Sequence, residues 1–166
     1  LILRGSLYYN PKQLERAMKD LHKAIQLLPD DPAAYQLLAE ALLRKGNTAD
    51  ALKNVDLALK KESSYVPAYI TLGDIHMADS HIERAVEAYS RALTIDPNNF
   101  DARLRRAKLY MELNDYPKAV VDLDKAAKVN PYTGHVYLLR ARCNELLGEK
   151  EKAKQDMWKA RVFANR

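Results

Sequence analysis

Apolar residues recur along the chain at helical rather than strand spacing. Tyr69, Leu72, Gly73 and His76 sit three, four and seven residues apart and share one stripe of a helix, and Ala85, Tyr89, Ala92, Leu93 and Ile95 make a second stripe. Between such stripes lie short polar segments, Gly46-Asn47-Thr48 in one place and Asn114-Asp115-Tyr116-Pro117 in another, where Gly, Asn and Pro stop one helix and start the next. Beyond the second stripe come Pro29-Asp30-Asp31-Pro32, Pro97-Asn98-Asn99 and Asn130-Pro131-Tyr132, which close each segment. The pattern predicts pairs of antiparallel helices joined by tight turns.

The pairs repeat every 34 residues. Ala17, Ala51, Ala85, Ala119 and Ala153 form one ladder, and Ala24, Ala58, Ala92, Ala126 and Ala160 a second. Gly5, Ala39, Gly73, Ala107 and Ala141 keep a third position small, which predicts close approach of helix backbones there. Another position reads Leu1, Tyr35, Tyr69, Arg103 and Tyr137, with Arg103 the exception to a large apolar or aromatic series.

The sequence Tyr69-x-x-Leu72-Gly73-x-x-His76, with Ala85-x-x-x-Tyr89-x-x-Ala92 and Pro97, resembles the tetratricopeptide repeat family, with His76 where that pattern has Tyr. The resemblance covers the whole chain in five registers, 1–31, 32–65, 66–99, 100–133 and 134–166, the first shortened at its start and the last without a polar covering helix. It implies an all-α fold, a right-handed superhelix whose first helices line a concave groove that takes a partner peptide or helix. Carried over position by position, the groove residues are Gln36, Ile70, Leu104 and Leu138, then Glu40, Asp74, Lys108 and Arg142, then Leu43, Met77 and Met111. The charge along the middle series changes sign, so a ligand is expected to place basic groups near Glu40 and Asp74 and acidic groups near Lys108 and Arg142.

Where the family usually has a core Leu, this chain reads Arg4, Leu38, Leu72, Arg106 and Arg140, and sixteen residues later Asp20, Asn54, Ala88, Asp122 and Asp156. Arg occurs only where Asp does. A buried guanidinium without a carboxylate costs several kcal/mol, so Arg4 with Asp20, Arg106 with Asp122 and Arg140 with Asp156 are expected to be ion pairs between the two helices of a repeat.

Composition narrows the chemistry. Lys and Arg number 27 against 22 Asp and Glu, but the excess is local: the 66–99 repeat carries a net −3 and the 134–166 repeat a net +4. Much of that basicity alternates with acids on solvated helices, which with the lack of aromatic platforms speaks against nucleic acid as a partner. No apolar run is long enough to span a membrane, and the single Cys excludes an internal disulfide framework, which favours a cytoplasmic setting with a nuclear or cytoskeletal complex left open. The isolated glycines make no phosphate loop and the four His no helical metal pair. Cys143 reads as a small buried thiol. No enzyme, cofactor or metal is expected.

Two specialised relatives fail on residues. No repeat combines Lys at the fifth position with Asn at the ninth, which speaks against a clamp for chaperone C-terminal tails; only Arg105 falls at a clamp-like place. The sixth position reads Leu3, Leu37, Thr71, Arg105 and Leu139 rather than the Asn ladder of the sugar-transferase version. The leading expectation is a protein-binding scaffold. The alternatives are a structural spacer or self-association segment, with Trp158 and Phe163 of the last repeat as contacts, and an accessory domain of an enzyme or a nucleic-acid-associated protein.

Overall fold

The computed structural model describes residues 11–164, and within them every regular element is an α-helix. In order these are α1 (Pro11–Leu27), α2 (Pro32–Arg44), α3 (Thr48–Lys61), α4 (Val66–Ala78), α5 (Ile82–Ile95), α6 (Phe100–Glu112), α7 (Tyr116–Val129), α8 (Gly134–Leu146) and α9 (Lys150–Ala164). Arg4, at the head of the sequence, lies outside the described residues. The chain divides into two compact units, Leu1–Ala85 and Val86–Arg166, with α5 running through the division.

In the first unit Ala39, Ala51, Val55, Ala58, Ala68 and Ile75 form the buried core, flanked by Tyr35, Leu42 and Leu72. In the second, Ala107, Ala119, Leu123, Ala126, Val136 and Tyr137 do so, with Phe100, Tyr110 and Phe163 packed against them. Ala51, Ala58, Ala119 and Ala126 are fully buried, so the alanine ladders mark the points of closest helix packing.

The turn within each helix pair has a fixed conformation. Gly46, Ser80, Asn114 and Gly148, again 34 residues apart, all have positive φ, between 59° and 78°. The following N–H groups, those of Asn47, His81, Asp115 and Glu149, donate to the carbonyls of Leu42, His76, Tyr110 and Asn144 at 2.7–3.0 Å. This is the left-handed helix ending that satisfies carbonyls otherwise left open at a helix C-terminus. Asp31, Asn47, Asn99 and Asp115 then cap α2, α3, α6 and α7, each accepting a backbone N–H with its side chain.

A second recurring bond ties each first helix to the loop before it. Tyr35 Oη donates to the Pro29 carbonyl at 3.0 Å, Tyr69 Oη to that of Ser63 at 3.1 Å, and Tyr137 Oη to that of Pro131 at 2.9 Å. At the odd position, the Arg103 guanidinium donates to the Pro97 carbonyl in the same way. The large residues of this ladder thus hold the inter-repeat loop as well as fill space.

Candidate functional site

The two arginines in Leu slots are held from both sides. Arg106 Nε lies 2.7 Å from Asp122 Oδ2 and its Nη2 lies 2.8 Å from Oδ1, a two-point contact between α6 and α7. Its remaining Nη1 donates to Ser90 Oγ on α5 at 2.8 Å. Arg140 repeats the geometry: Nε to Asp156 Oδ2 at 2.8 Å, Nη2 to Oδ1 at 2.5 Å, and Nη1 to Asp124 Oδ1 on α7 at 2.7 Å. The two carboxylates Asp122 and Asp156 are 1% and 3% exposed, so each guanidinium replaces water around a buried anion. Sixteen residues in either direction along the chain supply the partners. Asp20 is exposed on α1, and its expected partner Arg4 lies outside the described residues.

The structure sorts the groove residues into three kinds. Gln36 is not available to a ligand: it is 4% exposed, and its Nε2 donates to Thr71 Oγ1 on α4 at 2.8 Å and to Glu40 Oε1 at 2.6 Å. An amide in that position is a strut between α2 and α4, because a buried N–H must be satisfied. Leu43, Leu104 and Met111 are half-buried and lean on the two cores. Glu40, Ile70, Asp74 and Met77 are partly exposed in the first unit, and Lys108, Leu138 and Arg142 are exposed in the second.

On that second face Lys108 of α6 and His135 at the start of α8 are close enough to interact. Partial burial, then the Lys108 charge, pushes the His135 pKa below its ordinary value and so favours the neutral ring. Lys108 and Arg142 form no ion pair among the described residues. The face therefore presents two uncompensated cations, the His135 imidazole and the apolar Leu138, which is 47% exposed. His135 was not a groove candidate from the sequence, although its place one turn before Leu138 on a first helix was a usable signal.

Cys143 is fully buried and burial pushes its thiol pKa up, which suppresses the thiolate needed for nucleophilic or metal chemistry. No three His, Cys, Asp or Glu gather as metal ligands among the described residues, and no described helix is long and apolar enough to cross a membrane. Phe163 packs edge-on to Tyr132 and tilted on Tyr137, with ring centroids 5.5 and 5.6 Å apart, whereas Trp158 is 65% exposed.

Comparison with known proteins agrees with these features. The tetratricopeptide repeat signature matches residues 11–73 and again 72–144. Among curated relatives, the UDP-N-acetylglucosamine–peptide N-acetylglucosaminyltransferase of Giardia intestinalis is 27% identical over 87% of this chain, and DnaJ homolog subfamily C member 7 of Mus musculus is 25% identical over 90%. The chain spans only 10% and 33% of those two proteins. Among solved structures, that of MamA superposes with a TM-score of 0.80 at 18% identity, covering 93% of this chain and 90% of that one. YrrB, described as a TPR protein with an unusual peptide-binding site, superposes with a TM-score of 0.75 at 21% identity, covering 84% and 72%. The fold is of the all-α superhelical repeat class, and the paired helices, alanine ladders and left-handed turns at 34-residue spacing are those of the tetratricopeptide repeat family of protein-interaction scaffolds, to which this chain belongs.

Proposed function

We propose that the chain binds partner proteins through the exposed faces of its first helices, and that the face of α6 and α8 takes an extended or helical segment carrying acidic and apolar side chains. The observation that carries this reading is the uncompensated pair Lys108 and Arg142 beside Leu138, in a unit where the arginines of the Leu slot, Arg106 and Arg140, are matched to carboxylates. Cations left unpaired next to exposed apolar surface recruit acidic groups and reward burial of an aliphatic anchor. In the first unit, Glu40 and Asp74 with Ile70 and Met77 offer the opposite charge preference. His135 sits beside cations and apolar surface rather than beside a nucleophile, an arrangement suited to binding, and the buried thiol suits a reducing, cytoplasmic setting.

Peptide-array binding tests the reading directly. Sequences enriched on the wild-type protein should be acidic with aliphatic residues interspersed, and Lys108→Glu/Arg142→Glu should abolish that enrichment while leaving the helical circular dichroism unchanged. An enrichment that ignores charge reversal would remove this face from consideration. Trp158, exposed on α9, supports a second reading in which the same chain also packs into an assembly.

A further inference from the structure

Arg103 breaks the tyrosine ladder, and its surroundings do not balance its charge. Where Arg140 meets two carboxylates, Asp156 and Asp124, the equivalent node has two guanidiniums, Arg103 and Arg106, sharing the single carboxylate of Asp122. Arg103 Nη1 lies 3.3 Å from Asp122 Oδ1, and Ser90 stands where the next repeat has Asp124. Arg103 is 94% buried and its Nε has no hydrogen-bond partner. A buried guanidinium in excess, with an orphaned donor, is an electrostatic deficit of one negative charge.

The deficit grows toward solvent. In the last repeat Lys159 Nζ lies 5.4 Å from the centre of the Tyr137 ring, a favourable cation on an aromatic face. Its counterpart one repeat earlier is Lys125, which has Arg103 in place of that ring. Lys125 and Lys128 of α7, Arg103 and Asn98 line a cleft of about 530 Å³ in the second unit. Neither lysine forms an ion pair among the described residues. The nearest acid in the preceding loop, Asp96, is engaged by the Asn98 N–H and the Asn99 side chain.

We infer that this cleft is an anion site for a phosphate group, distinct from the α6 and α8 face. Two lysines that line the same cleft as an under-neutralised guanidinium match a dianion with several acceptor oxygens better than a single carboxylate, and Asn98 adds an amide donor. The group comes either from a phosphorylated side chain of a partner protein or from free phosphate.

The test is a two-dimensional NMR titration of the intact chain at constant ionic strength with three probes: inorganic phosphate, N-acetyl-O-phosphoserine amide and N-acetylaspartate amide. The phosphate probes should give saturable shifts at Asn98, Lys125 and Lys128 with a Kd of about 1 mM or below. Phosphoserine amide binding the tighter of the two identifies a phosphorylated side chain as the source, and the reverse identifies the free ion. Arg103→Tyr restores the ladder residue and its bond to the Pro97 carbonyl, so the variant should fold while losing at least about tenfold in phosphate affinity. Lys125→Gln/Lys128→Gln should do the same, and Lys108→Gln/Arg142→Gln should leave binding intact. The inference is overturned if no saturation occurs by about 20 mM, if Arg103→Tyr binds as well as wild type, or if the aspartate probe binds equally. Tighter binding of a single-stranded oligonucleotide than of phosphoserine at these residues would also overturn it, in favour of nucleic acid.

Discussion

Among the described residues, the two units fill one slot in opposite ways. In the first, Leu38 is 3% exposed and opposite it Asn54 turns its amide to the Asp50 carbonyl of its own helix, so α2 and α3 meet across an apolar contact. In the second, Arg106 and Arg140 occupy that slot, and each binds a side chain on the helix before it and another on the helix after it. Apolar packing is tolerant and non-directional, whereas a forked guanidinium fixes both the distance and the rotation of its neighbours. The chain therefore shows, within one sequence, a repeat interface specified by shape beside one specified by charge.

The sharpest way to break this contrast is to remove the shared carboxylate. Asp122→Ala leaves two guanidiniums buried without their anion and should cost about 3–5 kcal/mol in urea denaturation, while Asn54→Ala should cost less than about 1 kcal/mol. Equal costs would mean that the charged slot is no more specific than the apolar one. A transplant sharpens the point: Arg140→Leu with Asp156→Asn imports the first unit's solution into the second. The double variant should lie within about 1 kcal/mol of wild type although Asp156→Ala alone costs about 3 kcal/mol, because only the half-removed pair leaves a charge stranded.

Much of this was legible in the sequence, because a period of 34 turns each residue into a comparison with its counterparts. The Arg and Asp co-occurrence at sixteen residues needed no coordinates. What stayed hidden depended on partners with no fixed offset of their own. Gln36 looks like a ligand-facing amide until Thr71, 35 residues on, is seen to accept from it. Arg103 reads as a lapse in an aromatic ladder until its bond to the Pro97 carbonyl shows that it performs the tyrosine's task with an added charge. The breaks at Gly46 and Asn114 were visible in the sequence, but Ser80 carries no sequence signal for positive φ and its conformation is imposed by the repeat.

That imposition yields a smaller effect. Ser80→Gly should stabilise the first unit by about 0.5–1 kcal/mol, read as a shifted thermal midpoint, and Asn114→Gly in the second should gain less because Asn tolerates this conformation better. Smallest is an electrostatic shift on the second unit's face: Lys108→Gln should raise the His135 pKa toward its ordinary value in an NMR titration. Because folding lowers that pKa, the stability it contributes is complete above the unfolded value and declines as pH falls through it. Protonating His135 adds a third cation, so an acidic ligand should bind more tightly on the same descent in pH.

The guanidinium ties bear also on how the array comes apart. In a linear repeat protein, the coupling between neighbours decides how many helices open together. Arg106 joins α5, α6 and α7, and Arg140 joins α7, α8 and α9, with α7 common to both. Fraying of α9 strands Arg140, and release of α8 with it leaves Asp124 without its partner and uncovers the buried face of α7, so the losses run together rather than stepwise. Amide hydrogen exchange would register these five helices as one cooperative block, and the apolar joints of α2 and α3 as places where the chain can breathe.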